Sequence, residues 1–225
     1  MKKYVVIVAG GTGTRMQSAI PKQFLLLSGK PVLMHTMEIF YKSVPEAVLI
    51  NVIPSLHFGL WEQLCHDFNF TVPHILVPGG EKRSDSVKNG LAHIGNEGIV
   101  AIHDAVRPLI SPEVIRNCFE TAGKNGTAIP VIPLKDSVRR IIGDTSCNED
   151  RSTLRAVQTP QCFRCELIKD AYANAPAGLY TDDASVAEAC EHTVTLTEGH
   201  EDNIKITSPT DLLIAEILIK SRHSV

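Results

Sequence analysis

Residues 4–23, "YVVIVAGGTGTRMQSAIPKQ", decide the fold, because an apolar and mostly β-branched run leads directly into a glycine-rich loop. An apolar run without polar alternation is typical of a strand that is buried on both faces. The glycines leave backbone amides accessible, and Arg15 and Lys22 add two cations. Strand, amides and cations together predict a cradle for a polyphosphate. The alternative interpretation is a tight glycine turn beside two solvated cations.

The two standard phosphate-binding fingerprints do not fit this loop. A dinucleotide-binding motif needs a small residue at its third glycine position, but "GTGTRM" has Met16 there. The second apolar run, "AVLINVI", ends without the acidic residue that would bind a ribose hydroxyl. A Walker loop would need a Gly-Lys-Ser/Thr sequence, which does not follow. An NAD-dependent oxidoreductase therefore remains only a distant alternative.

Short apolar runs alternate with amphipathic segments along the rest of the chain, as in "PVLMHTMEIFYKS", "AVLINVIP", "HFGLWEQLCHDF" and "HILVPG". This alternation predicts an α/β fold with a Rossmann-like, mostly parallel sheet and helices on both faces. Ser111, Pro112 and Gly126 predict the start and end of one helix, and Ser208 with Asp211 predicts the start of the last helix.

Residues 135–159 depart from the alternation and predict a β-hairpin arm. The arm has few apolar residues, and an isolated hairpin is marginally stable in water. We therefore expect it to protrude and to lie against the parent domain or a second subunit. The length of 225 residues and the hydrophobic content of 44% predict one domain over residues 1–225.

Composition argues against several classes of partner. The formal net charge of −3 gives no excess of cations for nucleic acid. The apolar runs are far shorter than the roughly 20 residues of a membrane span, and the N-terminus lacks a cleavable targeting pattern. We expect a cytoplasmic protein with reduced thiols. Cys162 and Cys165 form a CxxC, for which zinc or redox chemistry is the alternative, although no second pair lies at zinc-ligand spacing.

The segment "AIHDAVRP", residues 101–108, supplies a second polar cluster. Its strand would place Asp104 and Arg107 at the carboxyl end of the sheet, where open α/β folds bind ligands. Asp104 suits Mg²⁺, which takes few protein ligands plus phosphate oxygens, and Arg107 could bind a phosphate. A simple ion pair is the alternative. His103 is expected to point to the opposite face, because neighbouring side chains alternate across a strand.

Six blocks in chain order, "AGGTGTRM…PKQ", "GGEKRSDSV", "HDAVRP", "TPQ", "TDDAS" and "DNIKIT", resemble the 2-C-methyl-D-erythritol 4-phosphate cytidylyltransferase family of the non-mevalonate isoprenoid pathway. The resemblance implies a single nucleotidyltransferase domain that binds CTP, Mg²⁺ and a sugar-alcohol phosphate. It also implies a homodimer in which each hairpin arm completes the partner's site. The closest rival is a ribitol 5-phosphate or other polyol-phosphate cytidylyltransferase, and a nucleotide-binding protein without turnover is the rival from another class.

The resemblance also implies roles for individual residues. The implied catalytic residues are Arg15, Lys22, Arg151 and Lys205. The implied CTP-binding residues are Ala9, Gly10, Gly11, Gly13, Arg15, Lys22, Gly80, Glu81, Ser86 and Asp104, with Glu81 at a position where some relatives have Asp. The implied acceptor-binding residues are Asp104, Arg107, Ser137, Arg151, Thr159, Thr181 and Lys205, and Asp104 is the implied metal ligand.

Three of these residues have simpler interpretations. Thr181 precedes two aspartates and could merely begin a helix. Lys205 could be an exposed strand lysine, and Arg151 could be a solvated charge. For the reaction, we expect the acceptor phosphate to attack the α-phosphorus of CTP directly, without a covalent enzyme intermediate, because a phosphate monoester is already mostly ionised at neutral pH.

Overall fold

The computed structural model describes residues 1–9 and 20–222. Its strands are β1 (Lys3–Val8), β2 (Leu26–Leu27), β3 (Lys30–Pro31), β4 (Val48–Ile53), β5 (Ile75–Pro78), β6 (Ile99–Asp104), β7 (Thr127–Pro133), β8 (Val138–Ile142), β9 (Thr145–Glu149), β10 (Arg155–Val157), β11 (Gln161–Arg164) and β12 (Leu196–Glu198). Its α-helices are α1 (Val32–Ser43), α2 (Phe58–Asp67), α3 (Arg83–Leu91), α4 (Pro112–Asn125), α5 (Cys165–Asn174), α6 (Asp183–Glu188) and α7 (Pro209–Arg222).

Within the described residues, the central sheet has eight strands and a mixed, mostly parallel arrangement. β1 lies between β4 and β6 and is parallel to both, and β5 continues the parallel half beyond β4. β11 runs antiparallel between β6 and β7, and β12 is parallel to β7. The parallel half confirms the predicted α/β class, and it brings the carboxyl ends of β1, β4 and β6 to the same edge.

Helices cover both faces of this sheet, as the alternation predicted. Val5 and Ile7 of β1 pack with α1, α2 and α4 on one face. Tyr4, Val6 and Val8 pack with α3, α5 and α6 on the other face. Successive side chains point to opposite faces of a strand, so this one apolar run contributes to two layers of the core.

The predicted helix boundaries are confirmed. The Ser111 hydroxyl accepts a hydrogen bond from the Val114 amide at 3.2 Å, and Gly126 ends α4 in the left-handed region with φ of 92°. At α7, the Asp211 carboxylate accepts from the Ser208 amide, while the Ser208 hydroxyl accepts from the Asp211 amide. These bonds satisfy amides that a helix start leaves without partners inside the helix.

The hairpin arm is shorter than predicted. β8 and β9 form a separate two-stranded antiparallel sheet, with Gly143 in the left-handed region at the turn. Residues 155–157, which the prediction assigned to the arm, form β10 and pair with β7 in the central sheet. Arg155–Val157 finds backbone partners on β7, which lies far away in sequence, so local composition did not reveal the pairing.

The state of the cysteines and the length of the helices bear on the predictions of reduced thiols and of no membrane span. All six cysteines carry free thiols, and both cysteines of the CxxC are buried. Cys162 lies in β11 and Cys165 begins α5, which packs in the layer with α3 and α6. Within residues 1–9 and 20–222, no helix is long and apolar enough to span a lipid bilayer.

Candidate active site

Asp104 ends β6 and gathers three cationic side chains around one carboxylate. Its Oδ2 atom lies 2.9 Å from Lys205 Nζ and 3.5 Å from Arg107 Nε, and its Oδ1 atom lies 3.3 Å from Arg83 Nε. The charges of Arg83, Lys205 and Arg107 outweigh burial, which alone would raise the pKa of Asp104, and hold that pKa well below its usual range. Asp104 is therefore ionised at neutral pH and keeps the cations at this edge of the sheet.

Five of the predicted acceptor residues are brought together here. They line a cavity of about 260 Å³ beside Arg83 and Gln161, and they are Asp104, Arg107, Thr159, Thr181 and Lys205. Thr181 does precede a helix, since Asp182 caps α6, but it also borders the cavity. Lys205 lies in an irregular segment and not in a strand, and although its side chain is exposed, as the alternative interpretation had it, its ammonium pairs with Asp104.

Arg83 is a site residue that sequence reasoning missed, as are Gln161 and Asp182 in the cavity lining. Its guanidinium donates to both carboxylate oxygens of Asp183 at 3.0 and 2.7 Å, and its Nε also donates to Asp104. Asp183 is completely buried, and the Tyr172 hydroxyl donates to it at 2.6 Å. Burial would lower the pKa of Arg83, but Asp183 and Asp104 outweigh it and raise that pKa above its ordinary value. Arg83 stood in the quoted block "GGEKRSDSV", but only the fold brings it beside residues 104 and 183.

His103 faces away from the cavity carboxylate, as alternation along β6 predicted. Its ring is fully buried against Phe40, with ring centroids 4.7 Å apart. Burial lowers the pKa of His103 to about 3, so the imidazole is neutral at physiological pH. One ring nitrogen contacts the Thr159 hydroxyl at 3.0 Å and the other contacts the Arg107 carbonyl at 3.2 Å.

The loop before α3 contains the predicted base-recognition residues. The Gly80 amide donates to the Ser86 hydroxyl at 3.1 Å, and that hydroxyl donates to the Lys82 carbonyl. A Cβ atom at Gly80 would lie 2.3 Å from Asp85 Cβ, so a side chain there would force the loop to move. Ser86 is buried and holds the loop, whereas Glu81 is exposed.

Part of the predicted phosphate cradle lies outside the described residues, namely Gly10, Gly11, Gly13 and Arg15. Ala9 is buried at the end of β1, and Lys22 begins a short 3-10 turn over residues 22–24. The buried side chain of Gln23 donates to the Ala9 carbonyl at 3.3 Å. Through Gln23, the "PKQ" block therefore folds back onto the end of β1.

Ser137 and Arg151 lie at the two ends of the arm, and neither lines the cavity of the same chain. Both are exposed, and the Arg151 guanidinium donates to the Lys135 carbonyl.

A bound divalent cation would meet two carboxylates in the lining of this cavity, Asp104 and Asp182, and Asp182 already accepts hydrogen bonds from Gln161 and from the Ser185 amide. Within residues 1–9 and 20–222, no three His, Cys, Asp or Glu side chains are grouped as metal ligands. Asp104 already faces cations at both oxygens, although Lys205 is 40% exposed and has room to turn away. This arrangement suits Mg²⁺, which is commonly held by one or two carboxylates plus substrate phosphates and water.

Comparisons with known proteins agree on one family. A family model described as 2-C-methyl-D-erythritol 4-phosphate cytidylyltransferase matches residues 3–221. The chain is 47% identical to a protein of that name from Bacteroides thetaiotaomicron and 46% identical to one from Phocaeicola vulgatus, each over 97% of this chain and 100% of the relative. The crystal structure of 4-diphosphocytidyl-2C-methyl-D-erythritol synthase from Anaerococcus prevotii is similar, with a TM-score of 0.85 at 26% identity over 97% of this chain and 96% of that chain.

Proposed function

The chain belongs to the 2-C-methyl-D-erythritol 4-phosphate cytidylyltransferase family, and on that premise we propose that the cavity at the end of β6 holds the acceptor phosphate against CTP. The protein is a CTP-dependent nucleotidyltransferase that joins CTP and 2-C-methyl-D-erythritol 4-phosphate to give 4-diphosphocytidyl-2-C-methyl-D-erythritol and pyrophosphate. The named relatives favour this acceptor over ribitol 5-phosphate, and they leave no support for an oxidoreductase or for a binding protein without turnover.

The observation that carries the site assignment is the cluster of three cations on Asp104. The reaction brings a phosphate dianion to a triphosphate, so the main obstacle is repulsion between anions. Asp104 and Asp183 pair with these three cations and Asp182 adds a carboxylate to the lining, so the site favours the substrates through individual cation contacts and not through a net positive charge. Positioning and charge neutralisation are the general solution for phosphoryl-type transfer.

In the proposed step, an oxygen of the acceptor phosphate forms a bond to the α-phosphorus of CTP, and the bond from that phosphorus to the β-phosphate oxygen breaks. Pyrophosphate leaves with the electron pair. Arg107 and Lys205 orient the acceptor phosphate, while Arg15 and Lys22 stabilise charge on the triphosphate, and no side chain becomes covalently modified. Gly80 and Glu81 border the cytosine, with Ser86 supporting their loop, and the glycine loop after Ala9 contacts the phosphates. Mg²⁺, when bound to the triphosphate with Asp104 as its carboxylate ligand, would neutralise negative charge on the phosphates.

We also propose that the enzyme is a homodimer of single-domain chains, each spanning residues 1–225, and that it works in the cytoplasm. Ile141 and Ile142 are apolar and largely exposed on the two-stranded arm, at 73% and 56%. We propose that a second copy covers these side chains and that Ser137 and Arg151 then contribute to the partner's acceptor site. The six free thiols support a reducing compartment.

The test is release of pyrophosphate from CTP and Mg²⁺ with 2-C-methyl-D-erythritol 4-phosphate or ribitol 5-phosphate in parallel. We expect release with the first acceptor at a far higher rate than with the second. Release only with ribitol 5-phosphate would overturn the acceptor assignment. Capture of labelled nucleotide on the protein in the absence of acceptor would overturn direct displacement.

A further inference from the structure

Thr159 lines the acceptor cavity, and most of the hydrogen-bonding capacity of its hydroxyl group is used inside the protein. Its oxygen accepts from the backbone amide of Asp104 at 3.1 Å. The same oxygen lies 3.0 Å from Nδ1 of His103, and the direction of that second bond decides what Thr159 can offer to a ligand.

The other side of the His103 ring fixes this direction. Nε2 lies 3.2 Å from the carbonyl oxygen of Arg107, and a carbonyl oxygen can only accept a hydrogen bond. Nε2 therefore carries the ring hydrogen. The ring is fully buried beside Phe40, where a neutral imidazole is favoured. A neutral imidazole has a single N–H group, so Nδ1 is an acceptor and the Thr159 hydroxyl donates its hydrogen to it.

A threonine hydroxyl has one hydrogen to donate and two lone pairs to accept with. At Thr159, His103 takes the hydrogen and the Asp104 amide takes one lone pair. One lone pair remains, so Thr159 can only accept from a ligand. An ionised phosphate has no hydrogen to donate, whereas the hydroxyl groups of the sugar alcohol do.

We propose that His103 fixes Thr159 as a hydrogen-bond acceptor for one hydroxyl group of the sugar-alcohol substrate, and that the acceptor phosphate is bound by Arg107 and Lys205 instead. This inference rests on the proposed function and adds two assignments to it. Thr159 distinguishes a polyol phosphate from a phosphate that lacks that hydroxyl. His103 is a positioning residue that acts through Thr159.

The first test replaces Thr159 by Val and measures pyrophosphate release at saturating CTP. The acceptors are 2-C-methyl-D-erythritol 4-phosphate and analogues that each lack one hydroxyl group. With the full acceptor we expect KM for the acceptor to rise about tenfold, the scale of one lost hydrogen bond, while KM for CTP is unchanged. With one of the analogues, wild type and variant should have the same acceptor KM, because the donating hydroxyl is gone. Thr159→Ser keeps the oxygen and should stay near wild type.

The second test separates the two nitrogens of His103. An Asn side chain can place its carbonyl oxygen near the Nδ1 position, so H103N should keep the acceptor for Thr159 and remain within about threefold of the wild-type acceptor KM. A Gln side chain reaches the Nε2 position but leaves Nδ1 without a replacement, so H103Q should raise the acceptor KM about tenfold. Neither variant should change KM for CTP. A merely structural role would lower kcat or raise both KM values, and it would not be rescued by Asn.

The outcomes separate this inference from the proposed function. If wild type releases no pyrophosphate with 2-C-methyl-D-erythritol 4-phosphate, the proposed function is wrong. If wild type is active but the loss in Thr159→Val is equal for every deoxy analogue, Thr159 contacts the phosphate and the inference is overturned. Equal kinetics of H103N and H103Q would overturn the role of His103.

Discussion

Replacing Arg83 by Met should destabilise the enzyme, because it leaves a buried carboxylate without its cation. Asp183 is fully buried, and within residues 1–9 and 20–222 the Tyr172 hydroxyl would be the one side-chain donor left to it. Breaking a buried ion pair by removing one partner costs about 3–5 kcal/mol. The Arg83 side chain is 30% exposed, so water can partly replace it. We therefore expect the free energy of unfolding to fall by about 3 kcal/mol, near the lower end of that range.

Urea unfolding followed by tryptophan fluorescence measures this loss, since the single tryptophan, Trp61, is 1% exposed in the native core. The matched control is Arg116→Met, on the exposed side of α4, which should unfold like wild type. Asp183→Asn leaves Arg83 paired with Asp104 and should cost less than Arg83→Met. The double variant should lose less unfolding free energy than the two single variants lose together, by about 1–3 kcal/mol, as expected for residues in direct contact.

Two results would refute this reasoning. One is an Arg83→Met variant within about 1 kcal/mol of wild type, which would mean that Asp183 does not need the guanidinium. The other is strict additivity in the double variant, which would mean that the two residues stabilise the fold independently.

Three further predictions concern the site and the arm. Lys205→Met should slow pyrophosphate release about 10²–10³-fold, the scale of a lost charge-stabilising group. The control Lys124→Met, at the exposed end of a helix, should leave the rate unchanged. Equal effects of the two substitutions would contradict the assignment of Lys205 to the site. Gly80→Ala should raise KM for CTP several-fold, because its Cβ would lie 2.3 Å from a neighbouring side-chain carbon, while Gly123→Ala, which meets open space, serves as control. Ile141→Asp should shift sedimentation equilibrium from dimer toward monomer, and an unchanged mass would argue against the arm as the interface.

The sheet and its helices could be predicted because their signals are local. The apolar run of β1, the cap at Ser111 and the αL glycine at Gly126 each depend on residues within a few positions. The opposite orientations of His103 and Asp104 followed from strand alternation alone. Positions far apart in sequence were also predicted to share a site, because a parallel sheet brings the ends of its strands to one edge.

What could not be predicted depends on contacts between distant segments. Arg83 binds two carboxylates at positions 104 and 183, and nothing in its own block distinguishes it from a solvated arginine. β10 was assigned to the arm because its partner on β7 is selected by the sheet and not by the three residues themselves. The hydrogen direction at Thr159 required the Arg107 carbonyl, which has no sequence signal.

These distant contacts explain why Asp104 is more than a potential metal ligand. Lys205, Arg107 and Arg83 come from three segments of the chain, and without a carboxylate between them their charges would repel each other. Asp104 holds them within 3.5 Å before any anion arrives. Arg83 is additionally fixed by Asp183. Lys205 is 40% exposed, and within residues 1–9 and 20–222 its one ion pair is with Asp104. Lys205 is thus the cation most able to turn toward an incoming phosphate, while Arg83 keeps Asp104 in place during the exchange.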